Sequence, residues 1–253
     1  IYNRALSASE MQQLYNAGAA KFSKSPTTSL TSGLVGYWTL DGKDINWAQN
    51  KATDRSGNAN TGTLTNMSTT TSPVAGKIGQ ALDFDGSNDV VIVSDNSSLE
   101  PTSAITISSW FSGDDLLKYR NNAAAAQIIV RKTNNYVLYF YDESSDGTND
   151  VDLDFFVWGP NNRLGYQVSG NLNNGVWYHA VGAYDGTTQR IYINGVQVAS
   201  QAVSGAIGTG TNPLGIGSEG DGTGIFDGLI DEVRIYNRAL SASEVEQLYR
   251  MGR

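Results

Sequence analysis

Cysteine is absent from the 253-residue sequence, and histidine occurs once, as His179. The lack of cysteine excludes disulfides, cysteine-based zinc sites and thiol nucleophiles. One histidine leaves few members for a conventional catalytic triad, and we expect His179 to be a packed, neutral side chain. Positive charge is also scarce, with 17 lysines and arginines against 25 aspartates and glutamates and a net charge of −8. Nucleic acid is therefore not an expected partner, because its phosphates require a cationic surface.

Long hydrophobic runs are missing as well. A helix that crosses a membrane needs about 20 consecutive apolar residues, so membrane insertion is not expected. The first residue lies inside a motif that recurs near the end of the chain. We therefore expect the chain to be a piece of a longer protein, for which a missing signal peptide carries no information.

Turn-forming residues are abundant, with 28 glycines among many asparagines, serines and threonines. About a dozen short segments rich in β-branched and aromatic residues lie between these turns, a pattern typical of a β sandwich or jelly roll. Asn194-Gly195 separates two such segments and predicts a type I′ hairpin turn. Residues 42–62 are expected to form a long loop.

Residues 1–10 and residues 235–244 share the sequence IYNRALSASE, and the identity resumes further on at the same offset. A match at constant offset indicates tandem repetition. We expect residues 1–18 to be the C-terminal strand and helix of a preceding repeat. Residues 19–32 are then a linker, and residues 33–253 are one whole repeat.

The repeated motif predicts a strand followed by a short amphipathic helix. Ser241 and Glu244 have the spacing of a capping box, in which each side chain bonds the other's backbone amide. Leu240 and Val245 can form a hydrophobic staple across the start of the helix. Gly252 is expected to end the helix in the left-handed conformation.

Several segments, in consistent order from about Gly33 to Gly252, resemble the laminin-G-like branch of the concanavalin A-like lectin/glucanase superfamily. They are GLVGYWTLDG, DRSGNANTGTL, GQALDFDGSNDVV, ITISSWF, GVWYHAVGAYDGTTQRIYINGVQV and FDGLIDEVRIYNRALSASEVEQLY. The resemblance implies an all-β, concanavalin A-like jelly-roll sandwich of two antiparallel sheets with a short C-terminal helix. It also implies a tandem module of secreted or cell-surface proteins, often with Ca²⁺, that binds glycans or proteins. Some relatives are glycoside hydrolases.

The resemblance further implies a structural Ca²⁺ between the loop after the first strand and the terminal strand. Carboxylate, amide and backbone oxygens are the ligands that Ca²⁺ prefers. The candidate ligands are Asp41, Asp54, Asn58, Asn60 and Asp231. The alternative is that these residues are present for turn geometry.

A weaker resemblance, to the pentraxins, implies a second, ligand-binding metal site. The matching positions are Asn134, Asn135, Glu219 and Asp221. The alternative is a glycine-rich, solvated loop.

A candidate carbohydrate surface follows from alternation in residues 151–158. Asp152, Asp154, Phe156 and Trp158 share one face of the predicted strand, where aromatic rings can stack on sugars and carboxylates can accept from hydroxyls. Trp47, on a long loop, is a candidate rim contact or a plug. Alternatively, a loop or the neighbouring repeat covers the two aromatic rings.

The sequence argues against catalysis. Retaining glycosidases need two carboxylates about 5 Å apart, which the related glucanases carry as Glu-x-Asp-x-x-Glu or a close variant. None of the seven glutamates forms that pattern, and Asp152-Leu153-Asp154 lacks a following glutamate.

These observations favour a non-catalytic, calcium-stabilised recognition or adhesion module from a tandem-repeat extracellular or cell-surface protein. Its expected partners are carbohydrate or a surface protein, and neighbouring repeats of the same chain. Two alternatives stay open: a structural spacer or self-association repeat without a small ligand, and a degenerate glycoside hydrolase.

Overall fold

The computed structural model describes residues 30–117, 126–142, 151–219 and 223–253. The chain divides into two compact units, residues 1–32 and residues 33–253, and the elements below belong to the second. Residues 1–18 lie outside the described residues, so the strand and helix expected there stay a prediction. Within the part of the chain that the structure describes, no helix combines the length and apolar character needed to cross a membrane.

The described residues form seventeen strands, one α-helix and two short 3-10 helices. The strands are β1 Leu34–Trp38, β2 Ile45–Asn46, β3 Lys51–Ala52, β4 Gly62–Thr65, β5 Pro73–Ala75, β6 Gln80–Asp85, β7 Val90–Val93, β8 Ile105–Gly113, β9 Ala126–Lys132, β10 Tyr136–Tyr141, β11 Asp152–Val157, β12 Asn162–Gln167, β13 Tyr178–Tyr184, β14 Thr188–Ile193, β15 Val196–Ala202, β16 Leu214–Ile216 and β17 Asp227–Tyr236. The helix is α1 Ala242–Met251, and the 3-10 helices are Gly42–Asp44 and Ser97–Leu99.

Two antiparallel sheets face each other. The first has the order β15-β14-β13-β8-β17-β6-β5, with β1 paired to β17, and the second has the order β12-β11-β10-β9-β16-β7-β4-β3-β2. Apolar side chains from both sheets fill the space between them, Phe111 and Phe84 from the first, Phe140 and Phe155 from the second. The predicted jelly-roll sandwich with a short C-terminal helix is confirmed.

The region expected to be a long loop, residues 42–62, carries more structure than predicted. It holds a 3-10 helix and the two-residue strands β2 and β3, and β4 begins at its last residue. Strands this short show no alternation in the sequence, because two residues cannot establish a period. The Asn194-Gly195 turn, in contrast, has φ of 53° and 82°, as a type I′ turn requires.

A β-bulge interrupts β17 between Asp231 and Arg234. Glu232 takes a positive φ of 56° there, and both Ile230 and Val233 still reach the core. The extra residue therefore turns Asp231 and Glu232 away from the interior together.

Helix α1 covers the outer face of the first sheet. Its predicted capping box is confirmed, since Ser241 accepts from the Glu244 amide and Glu244 accepts from the Ser241 amide. Val245 and Leu248 are buried, and Tyr249 stacks on Trp110 of β8 with ring centroids 5.6 Å apart.

The prediction that Gly252 ends this helix in the left-handed conformation is wrong, because its φ is −101°. Glycine is needed there for a different reason. A Cβ at this position would lie 2.7 Å from the Trp110 ring, so only glycine allows the chain to pass so close.

His179 lies beneath the same helix, where its Nε2 is 2.9 Å from Ser108 Oγ. Burial, together with the charge of Arg234, lowers the pKa of His179 to about 3. The imidazole is therefore neutral and packed, as the sequence suggested.

The helix start offers a test of local stability. Two Arg238 hydrogen bonds, 2.7 and 3.0 Å long, hold Glu244, and with the capping bonds they lower its pKa from 4.5 to about 2. Glu244→Gln should reduce the unfolding free energy by about 1 kcal/mol at neutral pH. Because the folded-state pKa is the lower one, this stabilisation is lost as pH falls from 4.5 towards 2, so variant and parent should converge in urea melts at acid pH.

Glu246→Gln is the matched control, since Glu246 forms an ion pair with Arg250 on the exposed face of the same helix. An exposed pair at this spacing contributes about 0.3–0.5 kcal/mol. Equal losses in the two variants would contradict the role given to Glu244.

Candidate functional site

A cleft opens on the outer face of the second sheet, the face turned away from the core. Its volume is about 500 Å³. The lining residues come from β9, β10 and β11, from the residue after β11, and from the segments that follow β16: Ala126, Arg131, Val137, Tyr139, Tyr141, Phe156, Trp158, Glu219, Thr223 and Gly224.

Strand alternation decides which side chains reach this cleft. On β11, Leu153, Phe155 and Val157 face the core. Asp152, Asp154, Phe156 and Trp158 therefore share the opposite face, as the alternation predicts.

The register then aligns side chains of neighbouring strands. Tyr139 pairs with Asp154, and Tyr141 pairs with Asp152. Directly opposed residues have Cβ atoms about 5 Å apart, so β10 places two tyrosines beside the two aspartates.

Four partly exposed aromatic rings give the cleft its apolar surface. Phe156 and Trp158 meet edge to face, with centroids 4.6 Å apart and an interplanar angle of 77°. Tyr139 and Tyr141 lie with centroids 5.7 Å apart. Rings fixed in this way offer flat faces with little loss of side-chain freedom on binding.

Two arginine–carboxylate pairs flank the rings. Arg131 forms an ion pair with Glu219, and its guanidinium lies 5.3 Å from the Trp158 ring centroid. Arg163 lies 3.2 Å from the fully buried Asp154 and 5.3 Å from the Tyr141 centroid. Burial, with the nearby Asp154 charge, raises the pKa of Tyr139 above its ordinary value, so its hydroxyl stays protonated.

Gly165 makes room for the two aspartates. A Cβ on Gly165 would lie 2.3 Å from Asp152 Oδ2 and 2.7 Å from Asp154 Oδ1. Both carboxylates therefore lie over β12, and a side chain at position 165 would displace them.

The sequence reasoning missed Tyr139, Tyr141, Arg131 and Arg163. The sequence could have indicated the two tyrosines. Side chains of YVLYFY alternate between the two faces of β10, so the alternation argument used for β11 also assigns Tyr139 and Tyr141 to the outer face. Arg163 lies across the β11–β12 hairpin from Asp154, so its pairing depends on the exact register of that hairpin. Arg131 had no signal in the sequence, since its partner Glu219 lies 88 positions away.

Trp47 does not line the cleft. It follows β2, at the far edge of the sheet from β12, and packs against the core. This position agrees with the alternative that Trp47 is a plug packed against the core and does not contact a ligand.

The second predicted metal site stays a prediction, because one of its four residues lies outside the described residues. Asn134 takes a left-handed φ of 68° in the β9–β10 turn, which is a common use of asparagine. The Asn135 side chain is buried, and the charge of Glu219 is neutralised by Arg131. Asp221 lies outside the described residues.

The first predicted metal set separates into two groups. Asp54 belongs to the loop group and accepts four hydrogen bonds: from the amides of Tyr37, Ser56 and Asn60 and from the Ser56 hydroxyl, at 2.8–2.9 Å. The side-chain amide groups of Asn60 and Asn58 donate to backbone carbonyls of β1. These three residues fasten their loop to β1, which is the turn-geometry alternative.

Asp41 and Asp231 form the other group, on either side of the turn between β5 and β6. Asp41 Oδ1 accepts from the Gln80 amide at 2.8 Å, and Asp231 Oδ2 accepts from the Ile78 amide at 2.9 Å. Asp231 is fully buried, and its Oδ1 has no hydrogen-bond partner among the described residues. Burial, with the charges of Glu232 and Asp41, raises its pKa to about 7.

A buried carboxylate oxygen without a donor fits a cation. The described residues hold no cluster of three or more acidic or histidine side chains with metal-binding geometry, so most of the remaining ligands would have to be backbone oxygens and water. The calcium site stays a prediction, and Asp41 and Asp231 are the residues that fit it.

The chain belongs to the concanavalin A-like lectin/glucanases superfamily, whose laminin G family model matches residues 85–246, more than half of its length. The comparison with curated proteins found no match.

Among solved structures, domain 4 of AbnA, a GH43 extracellular arabinanase from Geobacillus stearothermophilus in complex with arabinotriose, is 25% identical with a TM-score of 0.63. The alignment covers 86% of this chain and 98% of that domain.

Two further structures share the fold. The binding domain of Paraclostridial Mosquitocidal Protein 1 is 19% identical with a TM-score of 0.62, over 88% of this chain and 53% of that one. The ligand binding domain of botulinum neurotoxin serotype D, in complex with N-acetylneuraminic acid, is 14% identical with a TM-score of 0.58, over 89% and 52%. The chain thus spans about half the length of each.

The two aspartates of the cleft should differ in their effect on stability. Asp154 is buried and faces Arg163, whereas Asp152 is partly exposed. Asp154→Asn should lower the unfolding free energy by about 2 kcal/mol, because it removes the charge that balances a largely buried guanidinium. Asp152→Asn is the control and should change it by about 0.5 kcal/mol or less. Chemical denaturation measures both, and equal effects would refute the assignment of Asp154 as the structural member.

Proposed function

We propose that this chain is a non-catalytic carbohydrate-binding module and that the sugar occupies the cleft on β9–β11. The observation that carries the proposal is the set of four fixed, partly exposed aromatic rings flanked by two arginine–carboxylate pairs. Rings stack on the apolar faces of sugars, and paired ionic groups bond their hydroxyls. The similar arabinanase domain, solved in complex with arabinotriose, supports the same class of ligand.

The hydrolase alternative receives less support from the geometry. Asp152 and Asp154 lie close together over Gly165, but a glycosidase needs both carboxylates in contact with the glycosidic bond. Asp154 is fully buried and held by Arg163, so a substrate placed on the rings would not reach it.

The proposal extends to the setting of the module. The repeated IYNRALSASE motif favours an array of such domains, in which neighbouring repeats of the same chain are partners. We place this array outside the cell or on its surface, where carbohydrate and surface proteins are available.

Removing one ring tests the cleft. On an array of plant, bacterial and animal glycans the parent protein should bind a defined subset. Trp158→Ala should weaken binding to that subset about tenfold or more, equivalent to about 1.4 kcal/mol, because it removes the largest stacking surface. Trp177→Ala is the matched control, since this partly buried indole does not line the cleft. A spacer or self-association repeat would bind none of the glycans.

We also propose that Asp41 and Asp231 hold a structural calcium ion. The bound ion would supply the positive charge that the buried Asp231 carboxylate lacks, and it would fix the β5–β6 turn against β17. Sugar binding on the other sheet needs no direct contact with it.

Thermal unfolding with calcium and with a chelator tests this second proposal. Calcium at a hundredfold excess over its Kd should stabilise the parent by about 2.7 kcal/mol. Asp231→Asn should abolish that response. Asp54→Asn is the discriminating control: it should lower the melting temperature by itself but keep the response to calcium. A parent protein with identical melting temperatures in calcium and chelator would refute the calcium proposal.

A further inference from the structure

Arg131, which lines the cleft, and Arg163, which lies beside it, are at opposite ends of one row of side chains. Arg131 of β9 is the register partner of Val137, Val137 of Phe156, and Phe156 of Arg163 on β12. The row thus crosses three strand intervals, about 14 Å at a spacing of about 4.8 Å per strand. Its centre, Val137 and Phe156, is apolar.

Neither end of the row carries a net positive charge, and at the Arg163 end Asp152 lies beside Asp154. Arg131 is paired with Glu219 and lies against Trp158. Arg163 is paired with Asp154 and lies against Tyr141. The donors that these ends present to a ligand belong to the partly exposed Arg131 and Arg163, and the acceptors belong to the partly exposed Glu219 and Asp152. Such a set suits neighbouring hydroxyl groups, because a hydroxyl can both donate and accept.

An acidic sugar would bind less favourably. Its carboxylate could pair with an arginine only by displacing the Glu219 or Asp154 carboxylate that already pairs with it. The displaced Asp154 or Glu219 would then remain partly or wholly buried without its counter-charge, which is unfavourable. The net charge of −8 adds long-range repulsion.

We propose that the cleft selects an uncharged oligosaccharide of at least two sugar units, lying across the strands from Arg131 to Arg163. The inference rests on the proposed carbohydrate-binding function and names its ligand class. A monosaccharide is too short to reach both ends of the row. A neutral chain can stack on the rings at the centre, bond Arg131 and Glu219 at one end, and bond Arg163 and Asp152 at the other.

Calorimetric titration of the full chain tests the ligand class. The probes are arabinotriose and cellotriose, their monosaccharides, trigalacturonic acid and N-acetylneuraminic acid, at low and high NaCl. A neutral trisaccharide should bind at least tenfold more tightly than its monosaccharide and than either acidic sugar, with little dependence on salt. Tighter binding of an acidic sugar, or equal binding of monosaccharide and trisaccharide, overturns this inference while leaving carbohydrate binding intact. If no sugar on these titrations or on the glycan array binds, the proposed function itself fails.

One substitution should reverse the charge preference. Glu219→Gln leaves Arg131 without its counter-charge, so the affinity for trigalacturonic acid should rise at least fivefold and become salt-dependent. The double variant Arg131→Gln/Glu219→Gln removes both charges and should lose the gain that the trisaccharide has over the monosaccharide. Asp185→Asn is the matched control, because it breaks an arginine–carboxylate pair with Arg190 away from the cleft. Unchanged binding of the acidic trimer by folded Glu219→Gln would contradict the charge-balance argument.

Discussion

The antiparallel pairing of β10 with β11 is the constraint on which both the core and the cleft depend. Because side chains alternate with a period of two, the register that buries Leu138 and Phe155 also turns Tyr139 and Asp154 outwards. A slip of one residue would exchange the two faces, placing a carboxylate inside the sandwich and phenylalanines in water. The packing of the apolar interior therefore also determines which side chains line the cleft, because both sets of side chains belong to the same strands.

The terminal strand plays the corresponding part in the first sheet. β17 pairs with β1, β6 and β8, so it joins the beginning of the domain to its end. Its bulge places Glu232 beside Arg234 and Tyr37, where the Arg234 guanidinium lies 4.1 Å from the Tyr37 ring and donates to its hydroxyl at 2.8 Å. On the other side of the bulge Asp231 reaches the β5–β6 turn. The positive φ of Glu232 is locally unfavourable in conformational energy. It allows Asp231 to face the β5–β6 turn while Glu232 faces Arg234.

Sequence reasoning succeeded where the deciding forces are local. The capping box of α1, the Asn194-Gly195 turn and the two faces of β11 each follow from residues a few positions apart. The family resemblance predicted the two-sheet architecture. It failed where geometry joins distant residues. Glu219 pairs with Arg131, which is 88 positions away in the sequence. Position 252 requires glycine because the Trp110 ring lies so close, and not because the backbone has a positive φ. The strands β2 and β3 have only two residues each, which is too short to show the alternation that predicts a strand. Asp54 carried the composition of a metal ligand, but only the fold shows that its lone pairs are already used by amides of its own loop and β1.

The carboxylates of this acidic chain thus fall into classes that composition alone cannot separate. Asp54 is saturated by neutral donors, and Asp154 and Glu219 are balanced by arginines. Asp231 is buried, and one of its oxygens has no hydrogen-bond donor in the part of the chain that the structure describes. Burial, with the charges of Glu232 and Asp41, raises its pKa to about 7. The same side-chain chemistry therefore points to different ligands according to its surroundings. A balanced pair on an open aromatic surface suits hydroxyl groups, whereas an uncompensated carboxylate beneath a turn suits a cation. The proposed sugar and the proposed calcium ion would then occupy separate sheets, with the ion stabilising the turn beside β17 and the sugar contacting the aromatic cleft.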